Sequence, residues 1–231
     1  MKLFESKNGY EPLQNCSSYV ATPLGRITFD ININQNLLSE IPVERNCFRL
    51  SKGGSLASYS HSDFLAELVL CKPIVRIPSY MNVEKAYGAV WRVQSFVDNL
   101  SCDFLTALNP VNTLEIDSGP DSGEGLEAIT WDYREYRLTL GTQDGTLLVH
   151  RSKINDMMPN RLNAEDEIAQ HNIVQYIQNG LVVPLPPLLK NEMCQVHFVI
   201  AWNKYEDSDD VSPWFAVDMD GKSILSKEGL Y

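Results

Sequence analysis

Long apolar runs are missing from this sequence. No stretch approaches the roughly 18 apolar residues that a membrane-spanning helix needs. The richest candidate, 181–189, is interrupted by Pro184, Pro186 and Pro187. The opening Met1-Lys2-Leu3-Phe4-Glu5-Ser6-Lys7 has no apolar segment of the signal-peptide kind. Basic residues are scarce, 19 Lys and Arg against 30 Asp and Glu, for a net charge of −11. That balance lacks the electrostatic footprint of a nucleic-acid binder and disfavours anionic lipid, so neither nucleic acid nor membrane is an expected partner.

Closely spaced cysteines are absent as well. The five, Cys16, Cys47, Cys71, Cys102 and Cys194, are an odd number and form no C-x-x-C. This excludes a zinc knuckle or thioredoxin-type pair and points to reduced, mostly buried thiols, no disulfides and a cytoplasmic location. No G-x-S-x-G, P-loop, G-x-G-x-x-G or EF-hand loop occurs, so no metal and no cofactor are expected. The glycines of Lys52-Gly53-Gly54-Ser55 bring backbone N–H groups within reach of an anion, but in the wrong order for a P-loop; the segment reads as an ordinary loop.

What is present is a chain of 231 residues, 44% hydrophobic and 21% charged. That is ample for a hydrophobic core. Its charge is unevenly placed. Residues 1–114 hold ten basic and ten acidic side chains, whereas 115–231 hold nine and twenty. The Gly-rich stretch 117–125 falls at this change, dividing a net-neutral 1–116 subdomain from an acidic, β-rich 117–231 one, unless the whole forms one compact domain.

Strict alternation of Ile27, Phe29, Ile31 and Ile33 predicts a strand. So does that of Cys194, Val196, Phe198, Ile200 and Trp202. Helical spacing of Val83, Ala86, Tyr87, Val90, Val93 and Val97 predicts a helix over 83–98, with shorter helices over 64–71 and 102–108. A further helix is expected from Asn163 to Gln178, residues 146–150 as a hairpin strand, and 214–219 as the antiparallel neighbour of the 194–202 strand. The fold class is therefore α+β, mainly antiparallel sheet with a central group of helices.

Three function classes follow. The leading one is a binding or regulatory protein working through protein–protein contacts of its acidic half, as acidic inhibitors, antitoxins and immunity-type proteins do. The partner is a protein of basic character. Glu206, Asp207, Asp209 and Asp210, with the 165–167 helix start, supply charge; Trp202, Tyr205 and Trp214 are the aromatic anchors. The 83–98 face in the N-terminal half offers a homo-oligomer contact. The second class is a hydrolase or transferase with a Cys/His site, for which His197 is the candidate. Against it, a His on the polar face of a strand is usually just solvated. The third is a small-molecule sensor with Trp and Tyr lining a cavity.

Overall fold

The alternating strands form as the pattern predicts. In the computed structural model, which describes residues 2–5, 9–111, 116–162, 172–204 and 210–230, Ile27, Phe29, Ile31 and Ile33 all point inward from one strand. The chain runs through β1 (Glu11–Leu13), β2 (Tyr19–Thr22), β3 (Gly25–Ile33), β4 (Asn36–Leu37), a 3-10 turn (Leu38–Glu40), β5 (Glu44–Arg49), β6 (Ser55–Ser60), β7 (Phe64–Cys71) and β8 (Lys85–Ser95). Then come β9 (Leu100–Pro110), β10 (Asp117–Pro120), β11 (Leu126–Tyr133), β12 (Tyr136–Gln143), helix α1 (Gly145–Lys153), β13 (Gln175–Ile177), β14 (Gly180–Leu188), β15 (Met193–Lys204) and helices α2 (Ser212–Val217) and α3 (Gly221–Ser226).

These strands make two antiparallel sheets. Nine strands follow the order β1-β5-β6-β7-β8-β15-β12-β11-β10; the other sheet runs β13-β14-β9-β3-β2, with β4 on β3. The fold is thus mostly β, with three short helices among the described residues, and the expected α+β class with a central helix group is overturned. The predicted helices at 64–71, 83–98 and 102–108 are β7, β8 and β9. Consequently β8 offers no amphipathic helix face for self-association; it is an interior strand between β7 and β15. Residues on both sides of position 117 lie side by side in each sheet, at the β8–β15 and β9–β14 seams. No helix of the described residues is long and apolar enough to cross a membrane.

Two of the misread strands, β7 and β8, share a cause that β9 does not, since β9 belongs to the six-stranded sheet and its burial alternates. The nine-stranded sheet is covered on both faces, so its inner strands need apolar residues at every position and lose the period of two. All eight residues of β7 are buried. One face, carrying Phe64, Leu68, Trp91, Phe198 and Ile200, packs against Ile27, Phe29, Phe104 and Val183 of the six-stranded sheet. The other, carrying Val69, Val90, Val199 and Ala201, packs under Phe4 and under Val217, Ile224 and Leu225 of the C-terminal helices. Glycines make room for those helices: a Cβ on Gly88 would lie 2.3 Å from the Ile224 side chain, and one on Gly141 2.9 Å from Val217.

Two carboxylates tie the chain ends onto this outer face. Glu67 on β7, fully buried, accepts from the backbone N–H groups of Leu3 (2.8 Å) and Phe4 (3.0 Å). Its register partner Arg92 on β8 donates to Leu3 O at 2.8 Å and to Gln195 Oε1 at 2.8 Å, with its guanidinium 4.1 Å from the Phe4 ring. At the other end, Glu228 accepts from Lys52 N–H and Gly54 N–H, each at 3.0 Å. The Ser/Gly loop of 51–54 therefore does hold an anion, and the anion is this chain's own carboxylate. Glu228→Ala is expected to cost about 1.5–3 kcal/mol, because it strips a charged acceptor from the buried Gly54 N–H. Urea unfolding measures it; a loss under about 0.5 kcal/mol would mean that water replaces the carboxylate without cost.

Cys16 and Cys47 are bridged across a sequence separation of 31. This corrects the expectation of no disulfides. The bridge ties the β1–β2 connection to β5, two segments whose spacing carries no pairing signature. Cys71, Cys102 and Cys194 are free and buried.

Candidate functional site

Four acidic residues from the second half of the chain line one cleft. Helix α2 follows β15 and lies against β12 and β15. Pro213 at its start has the fixed φ and missing N–H that suit a first helical turn. The segment 214–219, expected as a strand, is thus largely helix. Trp214 reaches across to the β10–β11 turn, where its indole N–H donates to Asp121 O at 2.7 Å. The turn fits under the indole because residue 123 is glycine; a Cβ there would lie 2.4 Å from the ring.

Helix α1 begins beside the same turn. Its N-cap, Asp144, accepts from Leu147 N–H at 2.8 Å and from Gly125 N–H at 3.2 Å, bridging helix and turn. The 146–150 segment, expected as a strand, is the body of this helix. On β11, buried Glu127 accepts from the Tyr176 hydroxyl of β13 at 2.6 Å, a contact between the two sheets. Burial first, and then Glu127, push the Tyr176 hydroxyl pKa up.

Between these elements opens a cleft of about 1040 Å³, lined by four acidic residues, Glu124, Glu127, Asp144 and Asp218, and by no Lys or Arg among the described residues. Asp144 and Glu127 are committed to internal hydrogen bonds. Glu124 and Asp218 are exposed at its rim. Desolvation raises the Asp218 carboxyl above the usual aspartate range. Asp218 also lines a second cleft of about 420 Å³ together with Arg76, Asp220 and Lys222; its apolar part comes from Ile74, Phe215, Ala216 and Met219. Phe215 is 41% exposed and Ile74 52%. Acidic and apolar surfaces thus meet at Asp218. Phe215 escapes notice in the sequence because a strand reading of 214–219 makes it an interior residue.

The residues expected to bind are placed unevenly. Trp202 is buried in the core, its ring stacked on Tyr87 at 5.8 Å. Trp214 is partly buried and edge-on to Phe215. Asp210 is a brace: it accepts from Ser212 N–H at 2.9 Å and from the Asn203 amide, and these bonds hold its carboxyl below the usual range despite some desolvation. Tyr205, Glu206, Asp207 and Asp209 lie outside the described residues, as do 165–167. The Arg137–Asp132 pair, at 2.8 Å, crosses from β12 to β11, so this arginine serves an ion pair within the sheet.

His197 sits on the outer face of β15, 2% exposed. Its Nε2 lies 2.8 Å from Met219 O, and Nδ1 has no partner among the described residues. Burial, and then the charge of Arg151, push its pKa down to about 4. A neutral ring facing a carbonyl carries its proton on Nε2. It is an enclosed structural imidazole, neither solvated nor open to a substrate. Burial pushes the Cys71 thiol up to about 12, and Cys194 together with burial pushes Cys102 well up. Thiols held protonated in this way are poor nucleophiles.

No family model matches this sequence. No curated protein matches it either. Among solved structures, the fold resembles part of a protein described as a "putative kojibiose phosphorylase from human microbiome", with a TM-score of 0.50 and 10% identity. The likeness covers 95% of this chain and 30% of that protein, so the present chain spans less than a third of its length. At this identity the likeness concerns the fold alone: two large antiparallel sheets of this kind also occur as one portion of a longer protein.

Proposed function

We propose that this protein is a binding module whose acidic cleft engages the positively charged surface of a protein partner. The observation that carries this reading is the convergence of Glu124, Glu127, Asp144 and Asp218 on one cleft without a lining cation. A cleft of one sign focuses the field and speeds encounter with an oppositely charged partner. The exposed Phe215 and Ile74 beside Asp218 supply the apolar contact that charge alone lacks.

The test is capture from a native host extract at 50 mM and 0.5 M salt, followed by association kinetics. A basic partner released by salt is expected. The double substitution Glu124→Gln and Asp218→Asn is expected to slow its association by roughly 3–10-fold at low salt, with an unchanged melting temperature. Capture that ignores both salt and substitution overturns the reading.

A second reading is favoured by the fold likeness to a kojibiose phosphorylase together with Tyr176 at the cleft wall. Carboxylates and a tyrosine suit a polyhydroxyl ligand, and a disaccharide is the class to try. Saturable, salt-insensitive binding of kojibiose, lost in the same double variant, would favour it over the protein partner.

A further inference from the structure

A different cavity, sharing no lining residue with the acidic cleft, has the parts of a small-ligand site. It opens between the two sheets with a volume of about 270 Å³. Phe29 of β3 forms one wall; Tyr59 of β6 and Trp91 of β8 form the opposite one, their rings 5.9 Å apart. Leu38 of the 3-10 turn, Asp30 and Arg45 also line it. Ligand cavities usually run from roughly 300 to 1,000 Å³, so this one, just below that range, suits only a small ligand.

Three features set it apart from a packing gap. Trp91 is 1% exposed, and its indole N–H meets no acceptor among the described residues. Buried indole N–H groups normally find one. Asp30 and Arg45 stand at the opening with opposite charges and form no ion pair with each other, yet both act on the Tyr59 hydroxyl between them, Arg45 lowering and Asp30 raising its pKa against a dominant upward push from burial. Both also keep capacity in reserve. Asp30 accepts from Ile31 N–H and the Ser39 hydroxyl, each at 2.8 Å, and Arg45 donates to Cys16 O. A carboxylate has about four acceptor sites and a guanidinium five donors.

We propose that this inter-sheet cavity binds a free α-amino acid of medium size, with its carboxylate on Arg45, its ammonium on Asp30 and its side chain between Phe29 and the Tyr59–Trp91 pair. The opposite charges match a zwitterion, and the rings match an apolar side chain such as that of methionine. The site is independent of the acidic cleft.

The test uses the intact protein with L-methionine as probe, followed by calorimetry and thermal shift. Saturable binding is expected. N-acetyl-methionine, which lacks the ammonium, and methioninamide, which lacks the carboxylate, are expected to bind at least tenfold more weakly. Arg45→Met and Asp30→Asn, both outside the packed interior, are expected to weaken methionine binding by about tenfold or more. The analogues test the wild-type protein directly, so a poorly folding variant does not blunt the result. Absence of saturable binding at 10 mM overturns the proposal. So does binding that the blocked analogues match, or that both variants retain.

Discussion

Glu67→Ala is expected to lower the unfolding free energy by about 2–4 kcal/mol, the cost of leaving two buried backbone N–H groups without their acceptor. Glu67 is fully buried, and Arg92 is 3% exposed. Alanine would strip the acceptor from Leu3 and Phe4 N–H and remove the carboxylate whose charge acts on Arg92. It would also release Phe4, fully buried beneath that guanidinium. Equilibrium urea unfolding measures the loss; a value below about 1 kcal/mol would show that the N-terminal residues do not depend on this carboxylate. Glu67→Gln, which keeps one acceptor, is expected to cost less.

The pH dependence of that site has a definite sign. Burial raises the Glu67 carboxyl above 4.5, outweighing the N–H groups of Phe4 and Leu3 that lower it. The native state therefore holds this proton to higher pH than the unfolded chain does. Its contribution to stability is fully present below the unfolded value and is lost as pH rises through the native one. Glu67→Gln has no proton to lose there, so it is expected to flatten this part of the stability profile. An identical slope in wild type and variant would assign the slope to other groups.

Opening the Cys16–Cys47 bridge is the second large effect. Closing a loop of this length restricts the unfolded chain by about 3–4 kcal/mol in the chain-entropy treatment. The double variant Cys16→Ser, Cys47→Ser is expected to unfold at correspondingly lower urea. Wild type under reductant is expected to fall to the same midpoint. A thiol titration in denaturant without reductant gives an independent check. It is expected to count three thiols, Cys71, Cys102 and Cys194. A count of five would overturn the bridge. Disulfides persist in oxidising surroundings, so a closed bridge in protein from its native host would bear directly on where the protein works.

How much of this was legible in the sequence depends on exposure. β3 and β15 could be read because their alternation is strict on one face. β8 could not, since Val90 on its outer face is as apolar as Ala89, Trp91 and Val93 on the inner one, and two buried faces together mimic helical spacing. Its wealth of Val, Trp and Tyr was the available counter-signal, favouring strand. Helices α1 and α2 were read as strands, although Asp144 before a helix and Pro213 in a first turn were available signals. The acidic cleft was legible only as a charge imbalance. Glu127, Asp144 and Asp218 come from three elements, and no spacing in the chain announces that they meet.

The β8–β15 seam has a consequence in time. β15 joins β8 through ten register pairs from Met193↔Gln94 to Trp202↔Lys85, and its other edge closes on β12. The middle of the larger sheet is therefore completed by a strand synthesised about a hundred residues after β8. Until residue 204 has left the ribosome, β8 and β12 each present an unpaired, apolar edge, the kind of edge that recruits foreign strands. Pairings across about a hundred residues also close slowly, because the loop entropy is lost before the contacts are gained. The most protected part of the folded protein is thus its most vulnerable part during synthesis.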